Sequence, residues 1–249
     1  MTTAALIALV AVVVGFFIGA VGVGGVLLIP ALVLLAPMDI HQASATALFS
    51  FLFTGILGTW LFARRGSIDW RMSLPVCAGS AIFSYLGALA NSRIDPRPLT
   101  LLIASIIVFS GIYVLLPSRH ADGAYRSGRG AAQQVLLLCI GAGAGFGSGL
   151  SGAGGPLFSV PLMMAFGFVP LASIGTSQVL QIVTATLGTV GNLQFGSIDF
   201  RMAAWIVGFL LVGVVVGARA AHVLQVKALR RTAATLCIVV GVFMLARAL

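Results

Sequence analysis

The sequence predicts an all-α integral membrane protein made of two homologous repeats, and three observations carry that prediction. Apolar residues make up 60% of the chain and charged residues only 8%, whereas a soluble domain carries roughly 25% charge. The apolar residues fall in runs of bilayer length, since a spanning helix needs about 20 of them. The chain also matches itself when shifted by about 130 positions. Gly15-Phe16 then falls on Gly145-Phe146, and Gly19, Gly22, Gly24 and Gly25 fall on Gly149, Gly152, Gly154 and Gly155. Thr46, Thr54, Gly58 and Thr59 fall on Thr176, Thr184, Gly188 and Thr189. The loop Gly66-Ser67-Ile68-Asp69-Trp70-Arg71-Met72 falls on Gly196-Ser197-Ile198-Asp199-Phe200-Arg201-Met202, one aromatic replacing another.

The first apolar stretch, residues 4–36, has no Lys or Arg before it. A secretory signal opens with a basic segment, so this stretch is expected to stay in the fold. It is too long for one upright crossing: roughly 33 residues make about 50 Å of helix, against a hydrocarbon core of about 30 Å. Gly22-Val23-Gly24-Gly25 interrupts it and Pro30 follows, a density of Gly and Pro that breaks helices. Stretches near 43–63, 71–91 and 98–117 each suit a single crossing. Residues 118–130, rich in Gly, Ser and Arg, read as a flexible linker between a first repeat (1–117) and a second (131–249). The second repeat follows the same plan. A long stretch, 132–167, is broken at Gly152-Ala153-Gly154-Gly155 and followed by Pro156 and Pro161. Spans near 172–193, 201–221 and 232–248 come after it.

Each broken stretch is either one tilted, kinked span or a re-entrant hairpin of two shorter helices. Loop charge favours the hairpin. With kinked spans the 14 Lys and Arg divide eight to six between the two sides; with hairpins they divide ten to four. The positive-inside rule prefers the uneven distribution. It places the linker in the cytoplasm, both termini outside, and the two repeats in inverted orientation.

A net charge of +9 would point to nucleic acid in a soluble protein. Here the basic residues sit in short loops between apolar runs, so membrane topology and anionic lipid headgroups account for them and no nucleic-acid partner is expected. The five acidic residues are all Asp, and none lies in the middle of an apolar run. Cys77, Cys139 and Cys237 are isolated in separate segments. No metal site, disulfide framework or cofactor is indicated. The glycines at 141–147 evoke a dinucleotide loop but have no βαβ setting and no acidic residue about 20 positions on. No Lys follows a glycine cluster, so there is no P-loop.

Where a half-helix begins inside the bilayer, its first N–H groups and its dipole form an anion site without a charged side chain. Two such breaks in equivalent positions can close around one small anionic substrate. The candidates are Gly22, Gly24, Gly25, Gly152, Gly154 and Gly155, with Ser151 as a hydroxyl donor. A second polar set follows each break and includes Thr46 and Thr176. Gln178 and Gln181, three apart, share a helix face. Their counterparts in the first repeat are Leu48 and Phe51, so this polar feature belongs to one repeat only. Asp39 and His41 form a candidate coupling pair, with helix capping as the simpler reading. Asp69 and Asp199, in the duplicated loop, read as N-caps. The pairs Gly15/Gly19, Gly145/Gly149 and Gly213/Gly217 have the GxxxG spacing of close helix packing and would permit a homodimer.

The segments Gly19-Ala20-Val21-Gly22-Val23-Gly24-Gly25-Val26-Leu27-Leu28-Ile29-Pro30 and Gly149-Leu150-Ser151-Gly152-Ala153-Gly154-Gly155-Pro156-Leu157-Phe158-Ser159-Val160-Pro161 resemble the TauE/SafE family of sulfite exporters and toluene-sulfonate-uptake permeases. So do Ala43-Ser44-Ala45-Thr46-Ala47 and Ala172-Ser173-Ile174-Gly175-Thr176-Ser177. With the repeat and the length, the likeness covers essentially the whole chain. It implies a secondary transporter, not an enzyme, in a bacterial inner membrane, moving a small sulfur-containing anion such as sulfite or an organosulfonate. The expected mechanism is alternating access, with the two repeats rocking about a site at the midplane. A passive anion channel and a carrier of another organic anion are the alternatives.

Overall fold

The computed structural model describes residues 2–22, 24–36, 38–115, 130–195, 198–223 and 226–248, and these contain helices and connecting turns but no strand. The first repeat gives α1 (Thr2–Val21), a 3₁₀ turn (Gly25–Leu27), α2 (Leu28–Leu35), α3 (Ile40–Arg64), α4 (Trp70–Arg93) and α5 (Pro96–Leu115). The second gives α6 (Ala131–Ser151), α7 (Pro156–Ala165), α8 (Pro170–Phe195), α9 (Phe200–Val223) and α10 (Val226–Ala248). Helices appear near all six positions expected to cross singly. The last begins at Val226, a turn and a half earlier than its hydropathy indicates. The linker lies outside the described residues.

Local chemistry sets several boundaries. The Asp39 carboxylate accepts from the Gln42 N–H at 2.8 Å and starts α3. Asp69 accepts from the Arg71 N–H at 3.0 Å and Asp199 from the Met202 N–H at 2.9 Å, starting α4 and α9. Both copies of the duplicated Asp therefore act as the expected N-caps. Helix α6 stops at Gly152, whose φ of +71° is left-handed, a conformation that costs a residue with a Cβ roughly 1–2 kcal/mol.

Each long apolar stretch is a full-length helix followed by a half-length one. Helices α1 and α6 have 20 and 21 residues, enough for about 30 Å. Helices α2 and α7 have 8 and 10, only about 12–15 Å. The chain reverses between them. A Cβ on Gly24 would lie 2.6 Å from the Val14 carbonyl and 2.8 Å from the Ile18 nitrogen, and the Phe158 ring lies against Gly147. Of the two expected geometries, the hairpin is the one observed. Helix α2 then runs back along α3: Gly25 rests on Phe51, about three turns into α3, and a short link joins the other end of α2 to the start of α3. Helix α7 runs back along α8 in the same way, with Gly155 against Leu180 and Thr184.

Glycine contacts fix how the long helices pair. Gly15 and Gly19 rest on the Leu210 and Val214 carbonyls of α9, and Gly213 and Gly217 rest on those of Val12 and Phe16. Gly145 and Gly149 rest on the Ser80 and Ser84 carbonyls of α4, and Gly87 on that of Phe146. The second set is the first shifted by one repeat. The pairs α1/α9 and α4/α6 are each parallel. Helices α3 and α8, equivalent in the two repeats, cross antiparallel, with Gly58 beside Gln178, Gly55 beside Ile182 and Gly188 beside Leu48. The GxxxG faces therefore serve packing within the chain. The outer surface is apolar, with Leu74, Ile82 and Phe109 about 70% exposed. Among the described residues, five helices (α1, α3, α4, α6 and α9) are long and apolar enough to cross a membrane.

Candidate functional site

The two breaks meet in the middle of the molecule. A Cβ on Gly25 would lie 2.6 Å from the Ala153 carbonyl oxygen and 2.9 Å from the Phe51 ring. A Cβ on Gly154 would lie 3.4 Å from the same ring, and one on Gly22 would meet Val160, Ser177 and Pro156. The start of the 3₁₀ turn leading into α2 and the start of α7 therefore flank one small region. Gly22, Gly24, Gly25, Gly152, Gly154 and Gly155 all line it or its approaches, and all are enclosed. Gly22, Gly152 and Gly154 have φ of +77°, +71° and +86°, which turn the backbone sharply without a side chain in the way. Both half-helices present their positive dipole ends here.

The polar side chains around the breaks divide into those with partners and those without. Ser151 donates to the Gly147 carbonyl at 2.6 Å and accepts from the Ala153 N–H at 3.2 Å, so its hydroxyl holds the turn of the second break. Ser148, in the last turn of α6, and Ser159, in the first turns of α7, are both fully buried. Neither hydroxyl makes a hydrogen bond among the described residues. Neither serine stands out by its spacing in the sequence.

Gln178 and Gln181 reach from α8 into the first repeat. The Gln178 amide donates to the Ile18 carbonyl at 3.0 Å, just before the first break, while its own oxygen packs on Gly58 without a hydrogen-bond partner. The Gln181 amide donates to the Phe51 carbonyl at 3.0 Å and to the Thr54 hydroxyl at 2.6 Å. Amides buried among apolar helices need such partners. Thr46 and Thr176 lie further from the breaks, toward opposite ends. Thr46 accepts from the Asp199 N–H at 3.1 Å, and Thr176 accepts from Ser73 at 3.2 Å.

Asp39 is exposed and caps α3. His41 is half-buried and its Nδ1 pairs with the Asn91 oxygen at 3.1 Å. Asn91, near the end of α4, was not prominent in the sequence; a single Asn in the last turn of an apolar span is the only signal. It is buried and donates to the Leu150 carbonyl at 2.6 Å, one residue before the Ser151–Gly152 turn, and to Ser44 at 3.4 Å. His41 is thus connected through Asn91 to the second break. No group of three or more His, Cys, Asp or Glu gathers among the described residues.

Two apolar, glycine-broken hairpins meeting between long membrane-competent helices define a multi-pass membrane protein of transporter type. The family described as sulfite exporter TauE/SafE matches residues 7–244, and the chain belongs to that family. It is 29% identical over 217 residues to the probable membrane transporter protein YdhB of Bacillus subtilis, covering 86% of this chain and 89% of that one. It is 28% identical over 259 residues to a probable membrane transporter protein of Methanocaldococcus jannaschii, covering 94% of each. No solved structure matches the chain.

Proposed function

We propose that the protein is a secondary transporter that carries a small anion, sulfite or an organosulfonate, by alternating access across a bacterial inner membrane. The observation that carries this reading is the meeting of the two breaks at Gly25 and Ala153, each at the start of a half-helix. The anion sits between them, held by backbone N–H groups of the first turns and by the two dipoles. Ser148 and Ser159 supply hydroxyl donors, and the Gln178 and Gln181 amides hold the walls of the site in place. Sulfur oxyanions suit such a site because several oxygens can each accept a bond, while neutral donors let the anion leave again. The family description supports the substrate class.

The antiparallel crossing of α3 and α8 supports an inverted relation of the two repeats. The hairpin reading assigns ten of the 14 basic residues to the loops on the side of Ser67, Gly175 and His222. By the positive-inside rule this end faces the cytoplasm. His41 and Asp39 then face the other side, where a proton would enter.

The test is uptake into proteoliposomes of labelled sulfite, a short organosulfonate, thiosulfate and sulfate, with and without a pH gradient. Saturable flux with mutual inhibition and counterflow is the expected outcome. Flux that neither saturates nor shows counterflow identifies a channel. No flux of any of the four from folded protein removes the sulfur-anion assignment.

A further inference from the structure

Helix packing divides the molecule along a line different from the sequence repeat. Helices α1, α2, α3 and α9 form one group. Within it the glycines of α1 and α9 lie on each other's carbonyls, the Asp199 N–H donates to Thr46, and Arg65 donates to the Ala218 carbonyl at 3.3 Å. Helices α4, α6, α7 and α8 form the other, while α5 and α10 pack on each other, Gly111 resting on Ala234 and Ile238 and Gly241 on Val108. Within the second group α4 and α6 share their glycine contacts, Ser73 bonds Thr176, Ser84 donates to the Thr184 carbonyl at 2.7 Å, and Tyr85 donates to Gln194 at 2.6 Å. Helices α3 and α4 are consecutive, yet each packs chiefly on helices of the second repeat. Each group therefore takes its first three helices from one repeat and its fourth from the other.

The chain passes between the groups only twice. The crossings follow α3 and α8 in the chain, where the sequence carries the two copies of the Gly-Ser-Ile-Asp loop, and the structure describes the first of them in full. Gly66 has φ of +64° with open space around it, and Asp69 and Asp199 start a rigid helix directly after each crossing. This is the arrangement of a hinge, in which a few loop residues absorb the change between two rigid bodies. Both breaks lie on the boundary between the groups. So do the bonds from Gln178 to Ile18, from Gln181 to Phe51 and Thr54, and from Asn91 to Ser44 and His41.

We propose that the bodies which move against each other during transport are these two exchanged groups rather than the two sequence repeats, with the loop at residues 65–69 serving as a hinge. The proposal rests on the carrier reading.

Two disulfide cross-links, in protein whose native cysteines are replaced by serine, separate the two divisions. Ser73→Cys with Thr176→Cys joins the two repeats but lies inside one group. Ser44→Cys with Asn91→Cys lies inside one repeat but joins the two groups. Exchanged groups give undiminished oxidised flux for the first pair and a loss of at least tenfold, restored by reductant, for the second. The reverse pattern overturns the proposal. A second measurement needs no flux and so stands even where no substrate is carried. Spin labels on the exposed pair Leu9 and Ile82 (one repeat, two groups) are expected to give a broad or two-peaked distance distribution. Labels on Leu74 and Val135 (two repeats, one group) are expected to give a single narrow one. A Leu74–Val135 distribution as broad as the other, or two narrow distributions, overturns it.

Discussion

Gly25→Ala tests whether the two breaks share a ligand. Gly25 lies in a 3₁₀ turn without positive φ, so the added methyl brings no backbone strain and its whole effect is steric. The methyl carbon would fall 2.6 Å from the Ala153 oxygen and 2.9 Å from the Phe51 ring. An ordinary carbon–oxygen contact is about 3.3 Å, so the breaks must separate by about 0.7 Å. Overpacking of this kind costs about 1–3 kcal/mol in a well-packed interior. The separation also lengthens a hydrogen bond of about 2.9 Å to about 3.6 Å, beyond the bonding range. An anion spanning the breaks loses at least one charge-assisted bond, worth about 1.5–3 kcal/mol. At 1.4 kcal/mol per decade, KM should rise roughly tenfold to a hundredfold. The assay is initial-rate flux in proteoliposomes, with thermal unfolding of the detergent-solubilised protein alongside it. A lowered midpoint with unchanged KM would show that the breaks touch without sharing the anion, and the site proposed here would be refuted.

Gly154→Ala should be milder than Gly152→Ala. Both glycines have positive φ, but a Cβ at 154 meets nothing nearer than Phe51 at 3.4 Å, while one at 152 meets Ser44 at 2.5 Å; the order of unfolding midpoints checks this, and the reverse order contradicts it. Gly154→Leu should abolish transport because the longer side chain must enter the space beside Phe51, and wild-type flux from folded protein would remove Gly154 from the site. Gln181→Leu deletes both bonds to α3 and should destabilise by about 0.6–1.7 kcal/mol, the range measured for hydrogen bonds between membrane helices; calorimetry or denaturant titration reads it, and an unchanged midpoint contradicts the role of this amide. Single cysteines at Ser67 and at Ser92, each in protein without other thiols, should label from opposite sides of an oriented vesicle, and labelling of both from the same side would undo the assigned chain direction.

The single crossings were legible because their length and hydropathy are local properties, set by the need to satisfy every backbone group inside a bilayer. The capping roles of Asp39, Asp69 and Asp199 were legible for the same reason, since a cap acts within three residues. The breaks could be located from Gly22-Val23-Gly24-Gly25 and Gly152-Ala153-Gly154-Gly155. That the chain doubles back there follows instead from contacts across the fold, Gly24 on α1 and Phe158 on Gly147. Ser151 shows the limit. Its position in the break made it a plausible donor, yet the adjacent turn takes up its hydroxyl, while the less conspicuous Ser148 and Ser159 are left without partners. Asn91 was missed because its importance lies in three partners, Leu150, Ser44 and His41, of which none is near it in sequence.

The two Gln residues show how duplication can be put to asymmetric use. In the first repeat the equivalent positions are Leu48 and Phe51. Leu48 fills the space beside Gly188, and Phe51 forms the wall that both Gly25 and Gly154 touch. Each apolar residue thus faces across the boundary that the matching amide crosses in the other direction. Had both repeats kept Gln, four amides would need partners in a region whose backbone is largely occupied by helix bonds, and each unsatisfied group would cost several kcal/mol in hydrocarbon. Had neither kept Gln, the boundary would lose the directional bonds to Ile18 and Phe51 that fix one group of helices against the other. With amides on one side and apolar wall on the other, the contact is specific but rests on few bonds. On the proposed mechanism this boundary parts and reforms in every transport cycle, and such a balance suits it.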